Sequence, residues 1–283
     1  MRNYFLRLIK LFPMVFAASC SNLDKLAYIP KTTPQQWCEL RPCIDMGGFV
    51  LNEPLGSFLV FALAFLWIAS GVWFLKKSQE QKSRFWFGIS LVLGGVGATL
   101  AGISYQAFSY ELKCAGLEFC KLTNGFEVGY SVTQAVSASA MLAAVAFALT
   151  KGKFRSIVLG YCILNTIVYV GLTIVGLSTL NKTLLSFELL MLFALPSVLF
   201  VIAISGPKYF RSKSKLDASL FWAAILFILV QVAYFGYFAA GITQTLWKNG
   251  TGFYFSENDV LHVGMILWLW YIITAVGREL RDS

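Results

Sequence analysis

The chain holds a single histidine, His262, in the run ENDVLHVGMILW at the start of an apolar stretch. Residues three and four apart share a helix face, so Asp259 and Asn258 both come beside it. An imidazole oriented by a carboxylate is a general-base arrangement, with His262 as water activator and Asp259 as its orienter. A plainer role is open to the same neighbours, because Asn258 or Asp259 can cap the helix by accepting its free backbone N–H groups. A second polar set, Tyr105 and Gln106 in GISYQAFSYELKCAG, closes an earlier apolar stretch, and Glu127 opens the one after it. Polar groups are costly inside a membrane, so their collection at stretch ends points to a site there. No second histidine exists for a metalloprotease helix or a Ser–His pair. The glycines of LGGVGATLAG lie inside an apolar run, which excludes a phosphate-binding loop.

The elements that must position these residues are set by hydropathy. The chain is 58% hydrophobic and 13% charged, where soluble domains carry about 25% charged residues. Seven stretches are long enough to cross hydrocarbon as helices, at 56–75, 86–107, 129–149, 156–178, 186–206, 218–241 and 260–277. The expected fold is therefore all-α, a seven-transmembrane helix bundle. A net charge of +9 is no argument for nucleic acid, because the bases sit in short loops between the stretches. Loops after the first, third, fifth and seventh stretches hold thirteen Lys/Arg and four acids; the opposite set holds seven and nine. That bias places the N-terminal region outside and the C-terminus in the cytoplasm. The expected location is a bacterial cytoplasmic membrane, with membrane lipids as partners, no nucleic acid, and protein partners unspecified by the sequence.

Three parts follow. Residues 1–20, with Arg2, Arg7 and Lys10 before LFPMVFAA, read as a signal segment, with Cys20 placed as a lipoprotein's lipidated residue would be; an uncleaved amphipathic segment is the other reading. Residues 21–55 form an extracytoplasmic cap and 56–283 the bundle. Cys38, Cys43, Cys114 and Cys120 all fall outside and suggest disulfides, with three connectivities open. Cys162 reads as a packing residue, and the sequons at Asn181 and Asn249 also fall outside. Gly94, Ala98 and Gly102 make a small-residue stripe allowing close helix approach, one turn before Gln106. Gln134, Asn165 and Gln231 are expected as isolated deeper polar groups.

Three runs, QWCEL followed by NEP, SYQAF, and NDVLH, resemble the alkaline ceramidases, within a wider group of seven-helix membrane hydrolases. Likeness extends along the whole chain in topology but to only about twenty residues in motif. The resemblance implies a zinc site of three histidines, of which His262 is kept, while Gln106 and Asn258 replace the others and Gly102 replaces a serine. Zinc favours imidazole, thiolate and carboxylate; neutral amides suit harder ions. Calcium is implied at Glu39, Asp45 and Glu53, with a solvated, disulfide-tied cap as the alternative. No cofactor is assigned; zinc and calcium rest on the resemblance alone. The expected function is a ceramidase-like scaffold that binds a lipid or headgroup in an outward-facing polar pocket without a working zinc centre. The alternative is a membrane-embedded lipid amide or ester hydrolase using His262. Both require the ends of the second and seventh helices to converge.

Overall fold

A computed structural model of the chain describes residues 23–248 and 252–283; the segment with Cys20 and the Asn249 sequon lie outside the described residues. Seven helices are long and apolar enough to cross a membrane: α1 Pro54–Lys76, α2 Lys82–Ala107, α3 Gly125–Leu149, α4 Gly152–Thr179, α5 Phe187–Ser212, α6 Lys215–Ala239 and α7 Glu257–Glu279. The chain is a multi-pass membrane protein.

Several helices outrun their apolar cores by a turn, because capping chemistry rather than hydropathy fixes where a helix starts. Asn124 accepts from Phe126 and Glu127 to begin α3, and Ser186 accepts from Leu189 to begin α5. Ser256 begins α7 through a reciprocal box, its hydroxyl taking the Asp259 amide while the Asp259 carboxylate takes the Ser256 amide. The cap of α7 is thus Ser256, not Asn258 or Asp259.

Helices α1, α2, α3, α5, α6 and α7 form a ring, and α4 stands outside it against α3. The small-residue stripe of α2 faces α1. A Cβ on Gly102 would meet Val60 at 2.7 Å and one on Gly94 would meet Trp67 at 3.1 Å. At Gly102 a side chain would force Val60 to shift; at Gly94 Trp67 would have to give by only a few tenths of an ångström. Two deeper polar groups expected to be isolated are partnered. Gln134 donates to the Gly94 carbonyl at 3.0 Å, and Asn165 reaches Ser139 and the Phe193 carbonyl. Cys162 is buried and free.

Over one end of the ring lies a cap. Thr33 starts the short helix Pro34–Glu39, and an antiparallel hairpin follows, β1 Cys43–Asp45 and β2 Val50–Asn52. The disulfides are Cys38–Cys43 and Cys114–Cys120, which settles the open connectivity in favour of the two local pairs. Trp37 is buried between them. Main-chain bonds from Tyr28 to Cys120 and from Leu122 to Leu26 sew the cap to the loop after α2. Glu111 accepts the Val50 amide and Asn52 accepts the Tyr110 amide, so the hairpin is tied to that loop as well.

Candidate functional site

The last turn of α2 leaves the α-helical pattern. Gly102–Ala107 is a π-helical turn, a feature that often re-aims side chains at functional sites. Gly102 makes it sterically feasible against Val60, and Tyr105 and Gln106 ride on it. From this turn two polar clusters diverge.

In the first cluster, Glu127 of α3 forms an ion pair with Lys113 and accepts from Ser104 at 2.8 Å. Asn124 donates to Ser104 at 2.6 Å, and Lys113 also donates to the Leu122 carbonyl. The Lys113 ammonium lies 5.0 Å from the centre of the Tyr105 ring and 5.8 Å from that of Trp37. Tyr105 in turn meets Tyr130 edge-on. Every charge here has its partner.

The second cluster is built on Gly56, in the first turn of α1. A Cβ there would stand 2.9 Å from Asp259 Oδ1, 3.4 Å from Gln106 Cγ and 3.5 Å from Glu53 Oε2. Side chains from α2, α7 and the residue before α1 therefore meet over one glycine. The ends of α2 and α7 converge, but across the first turn of α1 rather than by direct packing. One oxygen of each carboxylate is occupied. Glu53 Oε1 takes Arg41 at 3.3 Å and the Tyr254 hydroxyl at 3.2 Å, and Asp259 Oδ2 takes the Ser256 amide at 2.6 Å and its hydroxyl at 3.0 Å. The other oxygen of each, with Gln106 Oε1, is buried without a hydrogen-bond partner. Burial pushes the Glu53 carboxyl up to about 7, and the Asp259 and Glu257 charges add to this, while Arg41 and the Tyr254 hydrogen bond work against it.

His262 is buried one turn deeper, its Nδ1 also without a hydrogen-bond partner. No hydrogen bond joins it to Asp259 among the described residues; that carboxylate is engaged with Ser256 instead. His262, Asn258, Gln106, Tyr105 and Glu127 all line one cavity of about 650 Å³ that continues down the inside of the ring. Its deeper wall is mostly apolar, including Phe87, Val201, Leu220, Met265, Trp268 and Ile272, and is interrupted by Gln134, Ser197 and Gln231. All six ring helices contribute, more than the α2, α3 and α7 expected from the sequence. Phe235 and Phe238 of α6 line the cavity and are also 44% and 63% exposed on its outer side.

The metal sets implied by the resemblance are not assembled. A zinc ion at Gln106, Asn258 and His262 would have one imidazole and two amides, and Gln106 is drawn toward the carboxylates over Gly56. No group of three His, Cys, Asp or Glu side chains suited to a metal occurs among the described residues. Zinc does not fit this donor set. Of the calcium candidates, Glu39 and Asp45 are exposed at a shallow surface groove, bonded to Gln35 and to the Gly47 amide. Glu53 is buried behind Arg41, with its other oxygen turned toward Asp259. The three do not converge.

Sequence reasoning missed Gly56, Arg41, Lys113 and Tyr254. Arg41 stacks on the Trp37 ring at 3.9 Å, but nothing local announces that it turns inward to Glu53. Comparison with protein-family models, curated proteins and solved structures finds no match to this chain.

Proposed function

We propose that this protein binds a membrane amphiphile, seating its polar end among Gln106, Tyr105, Asn258 and His262 and its chain in the apolar shaft below. The observation that carries this reading is one cavity, polar beneath the cap and mostly apolar within the ring. Its size of about 650 Å³ falls in the range of small-ligand sites. Tyr105, Asn258 and the bare His262 Nδ1 offer hydrogen bonds to a headgroup. Glu127 helps through Lys113, holding the wall rather than touching the ligand. The ceramidase-like runs support the scaffold, and the exchange of histidines for amides supports binding without zinc chemistry. The cap faces outward from a bacterial cytoplasmic membrane in this reading, on the strength of the basic loops at the opposite end.

The test is lipid and metal analysis of the purified protein. Native mass spectrometry of the wild type should show a retained single amphiphile, lost on His262→Ala with Gln106→Leu or on filling the shaft by Ala223→Trp. Zinc at one per chain, lost in His262→Ala and accompanied by turnover of a lipid amide or ester, would overturn it in favour of the hydrolase.

A further inference from the structure

We propose that Glu53, Asp259 and Gln106 bind a single monovalent cation of sodium size over Gly56. Each carboxylate has one oxygen saturated by protein donors and one left bare. The bare oxygens, Glu53 Oε2 and Asp259 Oδ1, stand over the same point, 3.5 Å and 2.9 Å from the position a Gly56 Cβ would take. The amide of Gln106 is the independent observation. It is 98% buried, its Cγ stands 3.4 Å from that same point, and its Oε1 is without a hydrogen-bond partner. Buried oxygen acceptors without partners are rare in native proteins; two carboxylate oxygens over one point, beside an unpartnered amide whose side chain reaches it, call for a positive ligand. A buried charge left unpaired is strongly destabilising.

The chemistry of the donors selects the ion. Carboxylate and amide oxygens are hard ligands and suit alkali or alkaline-earth ions rather than zinc or copper. Charge balance then chooses between these. When both are ionised, Glu53 and Asp259 carry two negative charges and Arg41 one positive, so one further positive charge neutralises the groups over Gly56; Glu257, engaged with Thr243, is not among them. Absence of a side chain at Gly56 leaves the room, and the left-handed turn at Glu53, φ 44°, aims its carboxylate back over the helix start. The ion would join α1, α2 and α7 at the place where α2 and α7 lack direct packing. This site shares Gln106 with the amphiphile reading but does not rest on it, since the two carboxylate oxygens are bare whether or not the cavity is filled.

The experiment measures thermal unfolding of the full chain in lipid nanodiscs at fixed ionic strength, in sodium, potassium, lithium or choline chloride. Sodium should raise the melting temperature over choline by on the order of 5 °C, saturating with concentration. Asp259→Asn should abolish the rise. Because that variant also weakens the Ser256 box, Gln106→Leu is the second arm; it touches neither the box nor the Arg41 pair and should shrink the rise several-fold. Equal melting in all four salts would overturn the proposal, leaving the carboxylates held by a shared proton or by the Gln106 amide group. A sodium effect undiminished in both variants would place the ion elsewhere and overturn it equally.

Discussion

Two glutamates lie buried beneath the same cap, each beside a cation, and they are finished to different degrees. Glu127 is held on one oxygen by Lys113 and Ser104, with Asn124 behind them, and no buried atom of that set lacks a hydrogen-bond partner. Glu53 has Arg41 and Tyr254 on one oxygen and nothing on the other, and the same holds for Asp259 facing it. Saturation marks a structural knot; half-saturation marks a place that expects something else. Fixing the π-helical turn against α3 needs only internal bonds. Binding needs capacity left open. The contrast separates two roles that composition alone would merge, since both clusters read as acids at helix ends.

The largest expected effect breaks the comparison if it fails. Lys113→Met leaves Glu127 buried without its cation and should cost about 3–5 kcal/mol of stability. Glu53→Gln, by contrast, keeps an acceptor for Arg41 and Tyr254 while removing a charge from an overfilled acidic cluster, so its cost should be no more than about 1 kcal/mol. Unfolding of the two variants in one mixed-detergent titration checks both. Equal losses would mean that Glu53 is as structural as Glu127, and the distinction would fall.

Next in size is Gly56→Ala. Its new methyl would meet Asp259 Oδ1 at 2.9 Å, too close for either to stay in place. A cost of about 1–3 kcal/mol is expected, as for other overpacked sites. Gly160→Ala on the outlying α4, where nothing stands within 4 Å of the added methyl, is the control and should be neutral or slightly stabilising. A neutral Gly56→Ala would show that the oxygens have slack and that Gly56 positions nothing. His262→Ala should lie at the low end of the Gly56→Ala range, near 1 kcal/mol, because its Nδ1 gives up no hydrogen bond. Amphiphile retention should nevertheless fall about tenfold or more, a loss worth about 1.4 kcal/mol. A stability loss without a binding loss would make His262 a packing residue.

What the sequence discloses divides along the same line. The seven helices were legible because apolar length is a local property, and the disulfide-bearing loops because cysteines announce themselves. Polar ends of α2, α3 and α7 were legible too, since Gln106, Glu127 and His262 interrupt apolar runs. Which atoms are spent was not. Asp259 looks like the orienter of His262 from its spacing, yet Ser256, outside the apolar run, claims the carboxylate. Arg41 and Lys113 read as loop charges, and only the folded cap turns them inward over Trp37. Gly56 is one glycine among 23, and its importance depends on residues 50 and 203 positions away. Partnering of this kind depends on tertiary approach, which spacing along one helix does not encode.

The smallest prediction carries the comparison to the far end of the bundle, where the basic loops lie. Asp282 there accepts the Lys82 amide at 3.0 Å and the Ser83 amide at 2.8 Å, capping α2 from the end of the chain. Arg84 meanwhile binds the Leu280 and Gly277 carbonyls. Burial pulls the Asp282 carboxyl upward, but Ser83, the Lys82 amide and the Arg155 charge outweigh it and hold the group below its ordinary range. A carboxylate depressed in the folded state contributes fully above its unfolded value and loses that contribution as pH falls through its folded value. Asp282→Ala should therefore cost about 1 kcal/mol at neutral pH, as for other lost caps, and nothing measurable in strong acid. Melting curves of the variant and wild type should converge as pH drops below the ordinary aspartate range. This cap is saturated like Glu127 but exposed to water, which supplies substitute hydrogen bonds once the carboxylate is gone. If Asp282→Ala were as costly as Lys113→Met, saturation alone would set the penalty; the expected difference makes burial the second requirement.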